Sequence, residues 1–333
     1  MPRGSLYSRS CDSCRILKMC ATQTRVHCVQ HGELTSSRLP RRPFATIALV
    51  LLIAAALLGT GGFASPSAEA APASATPVRY SGGTYVALGD SRASGGFFTP
   101  TPGYFGGCKR SALNYPTVVA ALTLPRRFVD VSCAGALSEQ LYRVGQQTSG
   151  GYKPPQVWSV PSDAQLVTVS IGGNDMAWGS IVGPCGIQPL GDRHCRSNRA
   201  LAALANRRIS IMEDAVTTAL AAVRRKAPRA QIVVVGIGGF MGTHGCWPLV
   251  PISDPDVRWL NGVFVQANRA LARATAKVDG RFVDVNRASA GHDPCSLASW
   301  YESSLSNRIA YPYHLNKAGS IGVATLVNAA IRR

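Results

Sequence analysis

The sequence predicts an α/β fold, in which a parallel sheet of about five strands is covered by helices on both faces. One pattern in the sequence leads to this prediction. Short apolar runs rich in β-branched residues alternate along the chain with longer segments of helical periodicity, a pattern typical of βαβ units. The predicted strands are 85–88, 127–132, 166–171, 231–236 and 281–285. The predicted helices are 111–123, 200–226, 256–278 and 317–332.

The first predicted strand delivers a serine to the edge of the sheet. It is a short apolar run bounded by glycines, and Gly89-Asp90-Ser91 follows it directly. In an open parallel sheet the crevice beyond the strand carboxyl ends is where ligands bind. Ser91 is therefore a candidate nucleophile, although a serine here can also simply cap the next helix.

Three later segments bring further polar groups to the same edge. Gly135 follows the second strand, Asn174-Asp175 follows the third, and His314 lies just before the last predicted helix. Singly, these residues can be a turn glycine, a helix cap and a surface histidine. Together with Ser91 they supply a hydroxyl, a backbone N–H, a carboxamide and an imidazole, which are the parts of an acyl-transfer site.

The long helix predicted at 200–226 has apolar residues at close to helical spacing, and Pro228 ends it. The segments 185–195 and 240–255 are rich in glycine and proline and are predicted to be loops. No Gly-x-Ser-x-Gly motif occurs, which argues against an α/β-hydrolase nucleophile elbow. The glycines from Gly236 to Gly242 follow a strand, but Met241 and the Cys246-Trp-Pro sequence beyond it do not fit a dinucleotide-binding loop.

The charge and the amino-terminal segment indicate an exported basic protein. The net charge is +18 and is spread along the 333 residues without a long basic tract. We therefore predict a solvated basic surface and no nucleic-acid partner, with peripheral contact with anionic lipid or cell wall as the alternative. An apolar run after Arg41-Arg42, followed by Ala68-Glu-Ala70, predicts a secretory signal over 41–70, with an uncleaved anchor as the alternative.

Residues 1–40 are predicted to be a leader of unknown role that is either disordered or not translated, because the true start codon lies downstream. Residues 71–82 are predicted to be a flexible mature amino terminus. The leader has cysteine and histidine spacings like those of a zinc finger, but Lys18 and Thr24 stand where such a finger needs apolar residues. We predict no metal there and no cofactor elsewhere.

Six cysteines follow residue 70, and an even number in an exported chain predicts disulfides. Six cysteines allow 15 pairings, and sequential pairing is the simplest of them.

The motifs Gly89-Asp90-Ser91, Gly135, Gly172-x-Asn174-Asp175 and His314 resemble, in order and spacing, the four blocks of the SGNH (GDSL-type) hydrolases. Among them, the secreted actinomycete esterases, lipases and phospholipases are the most similar. The resemblance covers residues 83–333. It implies a three-layer α/β/α sandwich of the flavodoxin-like type. It also implies Ser91 as nucleophile, His314 as base, and the Ser91 and Gly135 N–H groups with the Asn174 carboxamide as oxyanion donors. Finally, it implies the pairs Cys108–Cys133, Cys185–Cys195 and Cys246–Cys295.

The chain departs from this family at two positions. Arg92 follows the serine, where the family often has Leu or Tyr, and Tyr311 stands where the family usually has the acid that orients the histidine. A main-chain carbonyl can orient an imidazole as well. We predict that the carbonyl of Tyr311 or its neighbour does so, with Asp293 as an off-motif alternative.

These expectations together predict a secreted, monomeric serine esterase or lipase that acts on acyl esters of lipids through a Ser–His dyad. Two alternatives stay open. The first is a carbohydrate O-acetylesterase, and the second is a non-catalytic basic protein that keeps the fold and binds anionic surfaces.

Overall fold

The computed structural model describes residues 79–95, 107–186, 191–306 and 311–332, which all lie in one compact unit, Glu69–Arg333. The predicted leader at 1–40, the signal at 41–70 and most of the segment 71–82 lie outside the described residues. Within them, no helix is long and apolar enough to cross a membrane.

The strands and helices lie close to their predicted positions. The strands are β1 (Thr84–Gly89), β2 (Arg127–Asp130), β3 (Gln146–Thr148), β4 (Gly151–Lys153), β5 (Leu166–Ser170), β6 (Gln231–Val235) and β7 (Arg281–Val283). The helices are α1 (Ser91–Ser94), α2 (Tyr115–Thr123), α3 (Ser138–Tyr142), α4 (Trp178–Val182), α5 (Arg199–Lys226), α6 (Asp254–Ala276), α7 (Val285–Ala288) and α8 (Lys317–Arg332). Short 3₁₀ turns occupy Gln156–Ser159, Gly183–Cys185 and Cys195–Ser197.

Five strands form the central sheet in the order β2-β1-β5-β6-β7, and every neighbouring pair is parallel. The predicted parallel sheet is therefore confirmed, in the flavodoxin-like order. The three inner strands are buried along their whole length, which explains why they read as continuous apolar runs. The antiparallel hairpin of β3 and β4 was not predicted, because its two three-residue strands are polar and largely exposed.

The strand order reverses direction at β1, and this determines where the helices pack. Right-handed crossovers put α2 on one face and α5 and α6 on the other. Consistent with this, α5 packs against α6, and α2 packs against α8. The reversal also opens a crevice at the carboxyl ends of β1 and its neighbours, where a ligand site is expected.

Helix α5 shows how local sequence sets an element. The Asn198 side chain accepts a hydrogen bond from the Leu201 N–H (3.0 Å) and so caps the first turn. Eight apolar residues, from Leu201 to Val223, form the buried stripe. Three basic residues occupy the last turn, where they interact favourably with the helix dipole, and Pro228 lies just beyond the end.

All three disulfides implied by the resemblance are present: Cys108–Cys133, Cys185–Cys195 and Cys246–Cys295. The first joins the loop before α2 to the segment after β2. The Cys133 N–H donates to the Gly89 carbonyl (2.9 Å), so this crosslink holds the second motif beside the turn that carries Ser91.

Candidate active site

The turn after β1 presents Ser91 at the first position of α1. Gly89 has φ +144°, and a Cβ on it would lie 2.3 Å from the Ser170 carbonyl oxygen of β5, so only glycine fits. The Asp90 N–H donates to the same carbonyl (3.0 Å). The Asp90 carboxylate caps α1 by accepting from the Arg92 N–H (2.9 Å). The turn is therefore tied to the sheet through the Asp90 N–H, directly before Ser91, and is closed by the Asp90 side chain at Arg92, directly after it.

Gln156 also holds this turn in place, although no sequence motif points to it. Its side-chain amide donates to the Gly89 carbonyl (2.9 Å) and accepts from the Gly89 N–H (2.8 Å). The side chain is buried. Because it lies 67 residues from Gly89 and belongs to no motif, only the folded structure identifies it as a positioning residue.

Ser91 and His314 meet across 223 residues of sequence, with 2.7 Å between Ser91 Oγ and His314 Nε2. On the other side of the ring, Nδ1 lies 3.0 Å from the Pro312 carbonyl oxygen. A carbonyl can only accept, so Nδ1 carries the proton and the Nε2 lone pair accepts the Ser91 O–H. This is the tautomer that a general base requires.

Of the two predicted acceptors for His314, the carbonyl of Tyr311 or that of its neighbour, the structure has the neighbour, Pro312. The Tyr311 carbonyl accepts instead from the His314 backbone N–H (3.1 Å), which closes a tight turn and directs the Pro312 carbonyl at the ring. The Tyr311 ring packs edge-on against the imidazole, with centroids 5.6 Å apart. Because Pro312 follows it directly, Tyr311 is confined to extended backbone.

Asp293, the alternative acceptor, does not hydrogen-bond to the His314 ring. Its Oδ1 accepts from the Cys295 N–H (2.9 Å), and its Oδ2 lies against Gly242, where an added Cβ would be 2.3 Å away. The carboxylate is buried within the loops joined by Cys246–Cys295. In the described part of the chain, no carboxylate hydrogen-bonds to the imidazole.

Two of the three predicted oxyanion donors belong to residues that line the cleft, Ser91 and Asn174, and the third, Gly135, lies two residues after Cys133, whose N–H binds the Gly89 carbonyl. Gly135 adopts φ +81°, and among the described residues neither its N–H nor the Ser91 N–H has a protein acceptor. The Asn174 carboxamide donates one hydrogen to the Ala136 carbonyl (2.9 Å), and Asn174 lines the same cleft as Ser91 and His314. Unpaired donors of this kind are suited to hold a developing oxyanion.

Asp175 supports this arrangement without facing the cleft. Its carboxylate accepts from the Ser138 N–H (3.1 Å) and the Ser138 hydroxyl (2.9 Å) at the start of α3. Burial raises the pKa of this carboxyl. Asp175 thus ties the segment after β5, which carries Asn174, to the segment that follows Gly135.

An apolar pocket opens beside the dyad. Phe240 lies at its centre, with ring centroids 4.8 Å from Phe264, 5.5 Å from Trp178 and 5.5 Å from Tyr313. Ile237 and the side chain of Arg92 complete the wall. Such a surface suits a hydrocarbon chain, and the polar side chains of Ser91 and His314 line the same cleft. The described residues contain no group of three His, Cys, Asp or Glu side chains that could hold a metal ion.

Burial lowers the pKa of the His314 imidazole to about 4. The Pro312 carbonyl acts in the opposite direction, and the Arg92 guanidinium lowers the pKa further. Burial also raises the pKa of the Asp90 carboxyl to about 7, against the opposing effects of its hydrogen bond from the Arg92 N–H and of the Arg92 charge. The base therefore stays neutral under mildly acidic conditions.

These shifts predict the acid side of the pH profile. Because a general base must be neutral to accept a proton, kcat/KM for a neutral p-nitrophenyl ester should hold its plateau below pH 6.5 and fall only as the pH approaches about 4. Initial rates at constant ionic strength, read after alkaline quench, measure this. If kcat/KM also falls with a midpoint near pH 7, and this fall disappears in Asp90→Asn, it reports the titration of the Asp90 carboxyl. An acid midpoint at or above 6.5 that survives this change would contradict the depressed pKa.

Comparison with known proteins identifies the family. Residues 87–320 match the GDSL-like Lipase/Acylhydrolase family. The chain belongs to this family. It is 31% identical to Lipase 2 of Streptomyces coelicolor, over 78% of this chain and 88% of that protein. It is also 31% identical to a lipase of Streptomyces rimosus, over 88% of this chain and 99% of that one.

Solved structures agree with this assignment. Phospholipase A1 from Streptomyces albidoflavus NA297 superposes with a TM-score of 0.63 and 28% identity, over 75% of this chain and all of the other. The lipase from Streptomyces rimosus superposes with a TM-score of 0.62 and 30% identity, over 74% of this chain and 99% of the other. As a member of this family, the protein is a carboxylic ester hydrolase with the α/β fold predicted from its sequence.

Proposed function

We propose that this hydrolase is a secreted serine esterase or lipase that cleaves acyl esters of lipids through an acyl-enzyme, with Ser91 and His314 as a dyad. The observation that carries the proposal is the 2.7 Å hydrogen bond between Ser91 Oγ and His314 Nε2, at the mouth of the apolar pocket. The protein is proposed to act as a monomer and to need no cofactor.

The first half-reaction forms the acyl-enzyme. Ser91 Oγ attacks the ester carbonyl carbon while its proton passes to His314 Nε2. The carbonyl oxygen becomes an oxyanion, held by the Ser91 and Gly135 N–H groups and the Asn174 carboxamide. When the tetrahedral intermediate collapses, the ester C–O bond breaks and His314 Nε2–H protonates the leaving alkoxide.

Water then releases the acid. His314, neutral again, accepts a proton from water as the water oxygen attacks the acyl carbon. Collapse breaks the bond to Ser91 Oγ, which takes the proton back from His314. Throughout the cycle the Pro312 carbonyl, 3.0 Å from Nδ1, keeps the ring in one orientation. Because this acceptor carries no full charge, it stabilises the imidazolium less than a carboxylate would.

The lipid substrate and the location rest on two supports. The pocket wall is built of Trp178, Ile237, Phe240, Phe264 and Tyr313, which favours a hydrocarbon acyl chain over a sugar. The similar proteins are named lipases and a phospholipase A1, and the Streptomyces rimosus lipase is described as extracellular. The predicted signal at 41–70 accords with export.

A panel of esters tests the proposal. It comprises p-nitrophenyl esters of graded chain length, a phosphatidylcholine and an acetylated xylo-oligosaccharide. We expect turnover of the acyl esters, and a loss of about 10⁴-fold or more in kcat for Ser91→Ala. Ser94→Ala is the matched control, because this buried serine lies in the same helix and its hydroxyl has no hydrogen-bond partner among the residues that the structure describes. It should retain activity.

The alternatives give different outcomes. Turnover restricted to the acetylated sugar would favour the carbohydrate acetylesterase. Binding to anionic vesicles without turnover of any ester would favour the non-catalytic protein, an alternative that family membership already disfavours. A Ser91→Ala variant as active as Ser94→Ala would overturn the dyad.

A further inference from the structure

Arg92 places a cationic side chain in the wall of the apolar pocket. It is the second residue of α1, directly after Ser91, and it lines the same cleft as His314, Ile237 and Phe264. One guanidinium nitrogen, Nη2, donates to the Gly238 carbonyl (3.2 Å). The Tyr301 hydroxyl is a further polar neighbour of this side chain.

The charge of Arg92 is poorly compensated. Its Nε is buried and has no hydrogen-bond partner among the described residues, and within those residues it forms no ion pair with a carboxylate. The acid closest in sequence, Asp90, accepts from the Arg92 backbone N–H rather than from the guanidinium. Burial raises the pKa of that carboxyl to about 7, which limits its negative charge at neutral pH.

A purely structural tie between α1 and the segment after β6 does not explain this arrangement well. Hydrogen bonds to a carbonyl and a hydroxyl can be made by a neutral side chain, whereas a partly buried cation without a counter-ion, with its Nε buried and unpaired, is costly. Arginine is, however, suited to bind a carboxylate in the plane of its fork, through Nε–H and a neighbouring N–H. The buried Nε is the unoccupied half of such a fork.

We propose that the Arg92 guanidinium binds a carboxylate carried by the acyl group of the substrate, so that the enzyme prefers esters of dicarboxylic or similarly anionic acids. This inference rests on the proposed function. The apolar wall would hold the methylenes between the ester and the carboxylate. A substrate carboxylate would also offset the positive charge of Arg92, which otherwise disfavours protonation of His314 during the reaction.

Matched esters test the preference. Mono-p-nitrophenyl glutarate and adipate are compared with p-nitrophenyl valerate and caproate, which have the same number of acyl carbons and no charge. All rates are corrected for hydrolysis without enzyme. The measured quantity is the ratio of kcat/KM for the anionic ester to that for the neutral ester of equal length.

In Arg92→Met this ratio should fall by about tenfold or more, because a charge-assisted hydrogen-bonded pair is lost. In Arg92→Lys the ratio should fall less, because lysine keeps the positive charge and loses only the planar pair of N–H donors. Arg258→Met is the control for net charge. This exposed arginine donates to the Thr243 carbonyl (3.2 Å) and lies outside the pocket lining, so the ratio should not change.

An Arg92→Met ratio within twofold of the wild-type value for both chain lengths would overturn the proposal and leave Arg92 as a structural tie. Should that variant fail to fold, the wild-type enzyme still decides. It should hydrolyse the adipate monoester with a higher kcat/KM than the p-nitrophenyl ester of monomethyl adipate, and the absence of this preference would also overturn the proposal. If neither charged nor neutral esters are hydrolysed, the proposed esterase function itself has failed.

Discussion

His314→Ala should lower kcat on a short p-nitrophenyl ester by about 10⁴-fold or more, because the Ser91 proton then has no base to accept it. The structure makes the reason specific. Nε2 lies 2.7 Å from the hydroxyl, and the Pro312 carbonyl holds the proton on Nδ1. Thermal unfolding of the variant should stay close to that of the wild type, since His314 is only partly buried.

Two further variants separate a dyad from a triad. Tyr311→Ala should keep most activity, because it preserves the main chain that supplies the acceptor. Asp293→Asn should have a small effect on kcat, since its carboxylate accepts from the Cys295 N–H and not from the imidazole. A loss at position 293 comparable to that at 314 would mean that a carboxylate orients the base during catalysis.

Asn174→Ala should lower kcat by roughly 10²–10³-fold, the usual loss for one oxyanion donor. The carboxamide donates one N–H to the Ala136 carbonyl (2.9 Å), and we expect the other to bind the oxyanion in the cleft that Asn174 lines. KM for a short ester should change little, because the oxyanion forms only as the reaction proceeds. Steady-state kinetics on the purified variant measure both parameters.

Asn198→Ala is the matched control for this change. Asn198 also uses its side chain in a local contact, the cap of α5, but lies outside the cleft. It should lower the melting temperature and leave kcat near its wild-type value. If Asn174→Ala behaves in the same way, its carboxamide is a structural cap and not an oxyanion donor.

Much of the fold could be predicted because the inner strands are buried on both faces. The apolar runs that became β1, β5 and β6 are short and rich in β-branched residues, which favoured strands over helices, and glycine or proline marked several element ends. Their parallel arrangement also brought Ser91, Gly135 and Asn174 to one edge, as expected from their positions after strands. Local pattern and tertiary structure agree in these segments.

The remaining features depend on contacts that no local pattern records. Gln156 binds Gly89 through both ends of its amide, yet by itself it is an ordinary glutamine in a short turn. The acceptor for His314 could be limited to two neighbouring carbonyls, but which one faces the ring depends on how the turn at Tyr311 closes. Main-chain donors and acceptors have no residue identity, so a sequence specifies them only through the backbone path.

Because the acceptor for His314 is a main-chain carbonyl, the site should tolerate substitutions at position 312. Every amino acid brings a carbonyl, so no missense substitution at 312 deletes the group that orients the base. Harmful changes there would instead be insertions or deletions within 311–315, which would displace Tyr313 and His314 from Glu302, their main-chain hydrogen-bond partner. The number of residues in this short segment, more than their type, is what natural selection would be expected to preserve.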